Sequence, residues 1–368
     1  MAVKKSALKQ YLKLALQEML SVKYNFSLKR GGFDKKLMLF ADSNSDSLPE
    51  SMRLLYDELK SRGYRCEAWC LDFSRASLFK MLSFVFSFMG RYAQAGGLVI
   101  CNYFVPAHAC KKRSETKVVQ LWHSCGALKK FGYSTPNDIP KSYKGSVSRN
   151  IDLVTVSAPV CESVFKEAFA LKDGIARAVG VSRTDVFFDK EFEKASLRKL
   201  YSRCPQLEGK KILLYLPTFQ GDASHAYSVG LEQVKALKKS MKGWAVIIKQ
   251  HPRIKLRGRF DDFEASELMV CADMLITDYS SVVFEYALLD RPMLLWCPTL
   301  DEYIEERDFY LDFKKEMPCP IVTDGERLEE EVRKEYESFK SGRLSDFTDR
   351  YMSACDGNST RRIADFFK

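Results

Sequence analysis

Short apolar runs alternate with helix-like segments along this chain, and that alternation limits its fold more than any other feature. In the first half the runs cover residues 37–41, 64–71, 98–103, 118–122 and 151–157. In the second half they cover residues 211–216, 244–249, 274–277 and 292–296. Strands that alternate with helices predict parallel sheets with helical crossovers. The 368 residues therefore predict an α/β protein of two Rossmann-like domains whose parallel sheets face a central cleft.

Composition restricts the classes of partner. Lys and Arg number 58 against 48 Asp and Glu, and this net charge of +10 suits nucleic acid, anionic lipid or a phosphorylated substrate. Nucleic acid is disfavoured, because the basic residues cluster at the N-terminus and beside the predicted cleft rather than in a stripe with exposed aromatics. The 11 cysteines lack metal-binding spacing. Without a signal peptide or a spanning segment, the chain is expected to be cytoplasmic.

Two segments suggest contact with a membrane surface. Residues 1–30 alternate Lys with apolar residues and predict a basic amphipathic helix. Residues 78–89 are apolar on nearly every face and too short to span a bilayer. This second segment fits either a buried crossover helix or an interfacial helix, and the basic N-terminus favours the interfacial interpretation.

The strongest local motif covers residues 272–296. A strand ends at Thr277 and Asp278, and Ser280 and Ser281 stand where a helix would begin. Backbone N–H groups and hydroxyls at such a point can bind an anion, and Glu285, one helical turn further on, can accept hydrogen bonds from a ribose. The alternative is an ordinary helix cap with a solvated glutamate.

Two further strand ends carry basic groups. His123 follows the run 118–122 and is itself followed by Gly126, Lys129 and Lys130, so the segment offers a proton acceptor and two cations. A capped strand end with solvated lysines is the alternative.

Lys249, His251 and Arg253 alternate along the exit of another strand, which places them on one side, as a pyrophosphate would require. An exposed basic strand end is the alternative. No carboxylate cluster makes a metal obligatory and no cofactor is implied, although a magnesium ion on a pyrophosphate stays open.

Six ordered elements together resemble the CDP-glycerol glycerophosphotransferase family of teichoic-acid synthesis. They are LWHSCGALKKFG (121–132), VGVSRTDVFF (179–188), LLYLPTF (213–219), IIKQHPR (247–253), TDYSSVVFE (277–285) and DFYLDFKKEMPCPIV (308–322). The chain departs from the family pattern at Ser124, Gln220 and Cys319. These departures leave the substrate more open than the fold or the donor class.

The resemblance implies a GT-B fold with three parts. Residues 1–185 would form an acceptor- and membrane-facing domain, residues 186–345 would bind the donor, and residues 346–368 would form a C-terminal helix packing on the first domain. The reaction would move glycerol phosphate from CDP-glycerol to a hydroxyl of an undecaprenyl-diphosphate-linked saccharide and release CMP. The enzyme would lie on the inner face of the cell membrane, and its length resembles the short primases.

The resemblance also implies roles for single residues. His123 would be the general base, and His251 would neutralise charge on the pyrophosphate during displacement. Thr277, Ser280 and Ser281 would bind phosphates, and Glu285 would bind the ribose. The remaining candidates are assigned to donor binding or to the cleft: Lys249, Arg253, Asp278, Gly126, Lys129, Lys130, Arg183, Asp185 and Thr218. CDP-ribitol, another CDP-polyol, or a nucleotide sugar used by a GT-B glycosyltransferase remain the alternative donors.

Overall fold

The computed structural model of the chain describes residues 2–218, 227–250, 254, 258–306 and 308–368. Within these residues the chain divides into two compact units. Unit 1 comprises residues 1–123, 131–183 and 354–368, and unit 2 comprises residues 124–130 and 184–353. The chain therefore passes between the units more than once. The sequence had predicted boundaries after residues 185 and 345, with the last segment packing on the first domain.

The helices and strands of the first part alternate as follows: α1 Ala2–Lys29, β1 Asp34–Asp42, α2 Glu50–Ser61, β2 Arg65–Cys70, α3 Leu78–Tyr92, β3 Ala95–Ile100, β4 Lys117–Gln120, β5 Leu153–Thr155, α4 Val160–Phe169 and β6 Ala176–Arg177. The second part continues with α5 Lys190–Arg203, β7 Lys211–Leu216, α6 Leu231–Ser240, β8 Trp244–Ile248, α7 Ala265–Cys271, β9 Met274–Thr277, α8 Val282–Ala287, β10 Met293–Trp296, α9 Leu300–Glu306, α10 Phe313–Glu316, β11 Ile321–Val322, α11 Leu328–Ser338, α12 Ser345–Tyr351 and α13 Ser359–Asp365.

Each unit contains one sheet in which every described strand pair is parallel. Unit 1 has the strand order β2-β1-β3-β4-β5-β6, and unit 2 has the order β11-β10-β9-β7-β8. The order reverses between β1 and β3 in unit 1, and between β7 and β9 in unit 2. Ligands of open parallel sheets bind outside the carboxyl ends of the strands at such reversals.

Apolar packing on the sheets accounts for where the helices lie. In unit 1, α2 and α13 pack on the strands through Leu55, Leu59 and Ile363, and Phe367, which follows α13, belongs to the same cluster. In unit 2, α6 and α11 cover the sheet with side chains that include Val234 and Val332 among the buried residues. The segment 346–368, predicted as one helix, forms two short helices, because the chain leaves helical geometry after α12. Of these, α12 lies in unit 2 and α13 in unit 1.

The two segments predicted to meet a membrane pack against each other as α1 and α3. The α3 helix is capped by Ser77, whose hydroxyl accepts a hydrogen bond from the Lys80 backbone N–H at 3.3 Å. Its C-terminal part is buried through Val85, Phe88 and Met89, as a crossover helix requires. No described helix has both the length and the hydropathy to cross a bilayer.

His108 is buried in unit 1, with 2% of its surface exposed. Neither ring nitrogen hydrogen-bonds to any group that the structure describes. Burial, together with a smaller effect of the positive charge of Arg149, lowers the pKa of the imidazole from its usual 6.5 to about 3. His108 is therefore neutral in the folded protein.

We predict that His108 makes the folded state lose stability in mild acid. The unfolded chain binds the proton near pH 6.5 and the folded chain binds it only near pH 3, so stability is complete above pH 6.5 and falls below it. The expected loss from His108 is about 2 kcal/mol between pH 7 and pH 5. Urea unfolding of the wild type and of His108→Leu at both pH values measures it. A loss of equal size in both proteins would contradict the prediction.

Candidate functional site

At the point where strand order reverses in unit 2, hydrogen bonds join Thr218 to Asp278. Asp278 follows β9 and Thr218 lies two residues beyond β7. The Thr218 backbone N–H donates to the Asp278 carboxylate at 2.9 and 3.0 Å, and the Thr218 hydroxyl donates to the same carboxylate at 3.0 Å. Both residues had been predicted to lie in the site, although nothing in the sequence paired them.

The Asp278 carboxyl group is 6% exposed. Burial raises its pKa to about 6, because a charged carboxylate loses hydration there. The hydrogen bonds from Thr218 and the positive charge of Lys129 act in the opposite direction. Asp278 is thus held by donors from the neighbouring strand end. A carboxylate in this position shapes the site and cannot donate a hydrogen bond to a phosphate.

The remaining residues of the 277–285 motif lie around the same strand end. The Thr277 side chain is fully buried and its hydroxyl donates to the Leu216 carbonyl at 2.6 Å. Ser280 and Ser281 are half-buried and precede α8, and the Ser280 Oγ accepts from the Val282 backbone N–H at 3.4 Å. The predicted phosphate-binding roles of Thr277, Ser280 and Ser281 stay predictions.

Glu285 lies in α8 and is 4% exposed, which differs from the alternative of a solvated helix glutamate. The helix has six residues, and its first turn contains this carboxylate. A short helix contributes little dipole, so the predicted anion binding would depend on individual donors and cations. The ribose-binding role of Glu285 stays a prediction.

The segment 124–130, which follows His123, folds as part of unit 2. The Lys130 backbone N–H donates to the Asp308 carbonyl at 2.8 Å, and the Tyr310 backbone N–H donates to the Leu128 carbonyl at 2.9 Å. Lys129 pairs in antiparallel fashion with Phe309, and its Nζ lies 5.2 Å from the centre of the Tyr303 ring.

The Lys130 Nζ lies 3.9 Å from the Asp308 carboxylate. Residues 124–130 pair with residues 308–310, and this contact holds Lys129 in unit 2, where its charge acts on Asp278.

Gly126 allows the segment 124–130 to pack directly against the Phe284 ring. Its φ is 66°, and a Cβ built on it would lie 2.6 Å from three atoms of the Phe284 ring. On other sides, Phe284 contacts the rings of Phe347 and Tyr351 at centroid distances of 5.0 and 5.5 Å, which limits how far it can move away. A glycine is therefore required at this position for both its backbone geometry and its lack of a side chain.

His123 follows β4 in unit 1 and its side chain is exposed. The Arg183 Nη1 donates to the His123 carbonyl at 2.8 Å. Asp185 lies in the 3-10 helix Ser182–Phe188, in the part that belongs to unit 2, and is half-buried. The structure thus assigns Arg183 a contact beside the predicted base.

The third predicted element is described only in part. The Lys249 Nζ donates to the Phe260 carbonyl at 3.2 Å. His251 and Arg253 lie outside the described residues, as does Gln220, so their predicted roles stay predictions. Within the described chain, no three His, Cys, Asp or Glu side chains gather as potential metal ligands.

Sequence reasoning missed a second aspartate that is hydrogen-bonded at a reversal of strand order, in unit 1. Asp42 ends β1, and Asn102 follows β3 across the reversal of strand order. The Asn102 Nδ2 donates to the Asp42 carboxylate at 2.7 Å, and the Asn44 backbone N–H donates to it at 2.9 Å. An aspartate directly after an apolar run was the available signal. Such residues also occur at many strand ends without a function.

Comparisons with known proteins show which fold the chain has and which family it belongs to. The wall teichoic acid polymerase TagF has a similar structure, with a TM-score of 0.75 at 18% identity, over 99% of this chain and 96% of that chain. The two parallel sheets define a GT-B-like fold, and that prediction is confirmed. A family model described as CDP-glycerol:poly(glycerophosphate) glycerophosphotransferase matches residues 22–367. The chain belongs to this family of transferases, as its sequence had indicated.

Two relatives differ in the polyol that their names contain. The teichoic acid ribitol-phosphate primase of Bacillus spizizenii is 34% identical over 354 residues, covering 89% of this chain and 90% of the relative. The teichoic acid glycerol-phosphate primase of Bacillus subtilis is 28% identical over 288 residues, covering 74% and 73%.

We predict that Gly126→Ala destabilises the protein by about 2–4 kcal/mol, because the new methyl group meets the Phe284 ring while the backbone keeps a left-handed φ. Gly209→Ala is the matched control: Gly209 has a φ of 75°, and no described atom lies within 4 Å of the position that its methyl group would take. Its cost is the backbone strain alone, about 1–2 kcal/mol. Urea unfolding compares the two variants, and equal losses would show that the Phe284 contact is unimportant.

Proposed function

We propose that the protein transfers a polyol phosphate from a CDP-linked polyol to a hydroxyl of a lipid-linked teichoic-acid precursor and releases CMP. The observation that carries the proposal is membership of the glycerophosphotransferase family across residues 22–367. The geometry of unit 2 supports it, since Lys129, Ser280, Ser281 and Glu285 belong to one compact unit at the carboxyl ends of its strands.

The proposed chemistry is a single displacement at phosphorus. The acceptor hydroxyl oxygen attacks the phosphorus that bears the polyol, and the bond from that phosphorus to the bridging oxygen of CMP breaks. His123 takes the proton of the hydroxyl, and CMP leaves with the bonding electrons and the negative charge. Catalysis of this kind depends on positioning and on charge stabilisation.

Cations would stabilise the charge that develops on the diphosphate. Lys129 is the described candidate, because its charge already acts on the end of β9. His251 is assigned the same task by family resemblance, and Lys249 and Arg253 accompany it in sequence. Glu285 would accept hydrogen bonds from the ribose hydroxyls. A magnesium ion on the diphosphate would add to this charge stabilisation, and the proposal does not require one.

The polyol is the finer part of the proposal. The sequence predicts glycerol through the family resemblance. The 34% identity to a ribitol-phosphate primase, over nine-tenths of that relative, instead favours ribitol. Assays with CDP-ribitol and with CDP-glycerol distinguish the two polyols, and the length of the product shows whether one unit or many are added.

We predict CMP release from CDP-ribitol or CDP-glycerol only when a lipid-linked saccharide acceptor is present. His123→Gln should lower kcat by about 10²- to 10⁴-fold, because the acceptor hydroxyl loses its base. Lys129→Ala should raise the donor KM by about tenfold through lost charge pairing. Coupled detection of CMP measures both.

The exposed Lys239→Ala on α6 serves as the charge-matched control and should leave both constants unchanged. Unchanged rates in both His123→Gln and His251→Ala would refute the mechanism. Turnover of a UDP-sugar, with neither CDP-polyol accepted, would instead support a glycosyltransferase.

We further propose that α1 and α3 hold the enzyme on the anionic inner surface of the cell membrane. The exposed side of α1 carries a continuous apolar stripe, and α3 adds exposed side chains at its first turn. The stripe and turn comprise Leu12, Met19, Val22, Phe26, Leu78 and Phe79. Basic residues flank them, including the exposed Lys29, Arg30, Arg75 and Lys80. Apolar side chains with basic neighbours suit an anionic lipid surface.

We predict that vesicles containing phosphatidylglycerol sediment the protein more strongly than vesicles of phosphatidylcholine. Val22→Ser combined with Phe79→Ser should lower the bound fraction several-fold, because these side chains are 68% and 83% exposed. Tyr227→Ser, which removes an exposed aromatic ring from unit 2, is the control and should bind as the wild type does. Equal binding to both kinds of vesicle would remove the electrostatic part of the proposal.

A further inference from the structure

Trp122, the residue before His123, has a backbone conformation that bulky residues rarely adopt. Its φ is 59°, in the left-handed region where a Cβ crowds the following carbonyl. Only two other described residues besides glycine, Ala170 and Asp290, have positive φ. Ala170 ends α4 as a left-handed cap, and Asp290 lies in the turn before β10. Trp122 has no such role in ending a helix, so its conformation is imposed by its surroundings.

Aromatic side chains of unit 1 hold the Trp122 ring in place. The indole is 4% exposed. It stacks on Phe131 at a centroid distance of 5.1 Å and meets the edges of Tyr103 at 5.2 Å and of Phe169 at 5.0 Å. With contacts on three sides, rotation of the ring is restricted, which opposes relaxation of the backbone to a right-handed conformation.

A series of three linked hydrogen bonds fixes the Trp122 backbone. The Gln120 side chain is fully buried; its Oε1 accepts from the Trp122 backbone N–H at 3.1 Å, and its Nε2 donates to the Asn102 carbonyl at 3.2 Å. The Asn102 Nδ2 in turn donates to Asp42 at 2.7 Å. These hydrogen bonds therefore connect the reversal of strand order in unit 1 to Trp122, the residue before His123.

His123 is thus fixed on both sides of its Cα. On the N-terminal side stands the constrained Trp122, and on the C-terminal side the Arg183 Nη1 donates to the His123 carbonyl at 2.8 Å. The imidazole lies against the indole, with 4.2 Å between ring centroids and 36° between ring planes. What remains is side-chain rotation of an exposed ring, and the indole blocks part of that rotation.

We propose that Gln120 and Trp122 are positioning residues for the His123 imidazole. The buried amide of Gln120 holds Trp122 in its left-handed conformation, and Trp122 then sets the direction of the imidazole and supports one of its faces. A base held in one orientation needs no reordering before it takes a proton. This inference rests on the proposed function, in which His123 deprotonates the acceptor hydroxyl.

Two variants and a control test the inference in the full-length protein. Gln120→Met keeps the volume of the side chain and removes both hydrogen bonds. Trp122→Phe keeps an aromatic ring at the same position. Trp69→Phe is the control, because Trp69 is also an aromatic residue of unit 1, in edge contact with Phe84 and Phe88, with an ordinary backbone.

Gln120→Met should lower kcat by about tenfold or more and leave the donor KM within about threefold of the wild type. Trp122→Phe should cause a smaller loss of kcat, and Trp69→Phe should match the wild type. Urea unfolding of each variant accompanies the kinetics. The inference fails if Gln120→Met keeps the wild-type kcat. It also fails if Trp69→Phe, at an equal loss of stability, lowers kcat as much as Gln120→Met does.

A second measurement does not depend on the reaction. The chain has four histidines, so ¹³C-labelled imidazole resonances can be resolved, and His123→Gln identifies that of His123. Gln120→Met should shift or broaden the His123 resonance, and Trp69→Phe should leave it in place; an unmoved resonance in Gln120→Met overturns the inference. If the wild type transfers neither polyol, the proposed function fails, and the resonances alone decide whether Gln120 and Trp122 position His123.

Discussion

In each unit, a buried aspartate at the end of one strand accepts hydrogen bonds from the residue beyond the neighbouring strand. Asp42 is held by Asn102 in unit 1, and Asp278 is held by Thr218 in unit 2. Both contacts lie where strand order reverses, which is the place where neighbouring loops leave in opposite directions and would otherwise separate. In unit 2, the loop that carries residues 277–285 therefore starts from a fixed point.

These aspartates have different consequences for charge. Asp42 accepts from two uncharged donors, the Asn102 amide and the Asn44 backbone N–H. Asp278 is so poorly hydrated that its pKa rises to about 6, against the opposing effects of Thr218 and Lys129. On the proposed function, a diphosphate that binds near this strand end adds negative charge beside Asp278 and favours its protonated form further.

The strands could be predicted from sequence because fully buried parallel strands read as apolar runs, and the polar residues after them marked Thr218, His123 and Asp278. The partners of these residues could not be predicted. Nothing local pairs Asp278 with Thr218, and nothing marks Trp122 for a left-handed backbone, since the sequence signal for that conformation is glycine. Trp122 is buried, but its effect on His123 depends on Gln120 and on rings from distant segments.

Long-range packing also determines which sides of α1 are buried and which are exposed. Its lysines and apolar residues predicted an amphipathic helix, yet apolar side chains lie on two of its sides. Leu20 and Tyr24 are buried, and Tyr24 lies 5.2 Å from the Tyr92 ring of α3, whereas Met19 and Val22 are exposed on another side. A helix that completes the core with one side and leaves a second apolar side uncovered has no single polar face. Periodicity alone therefore identifies the helix but not its environment, because the packing of α3 determines which apolar side is covered.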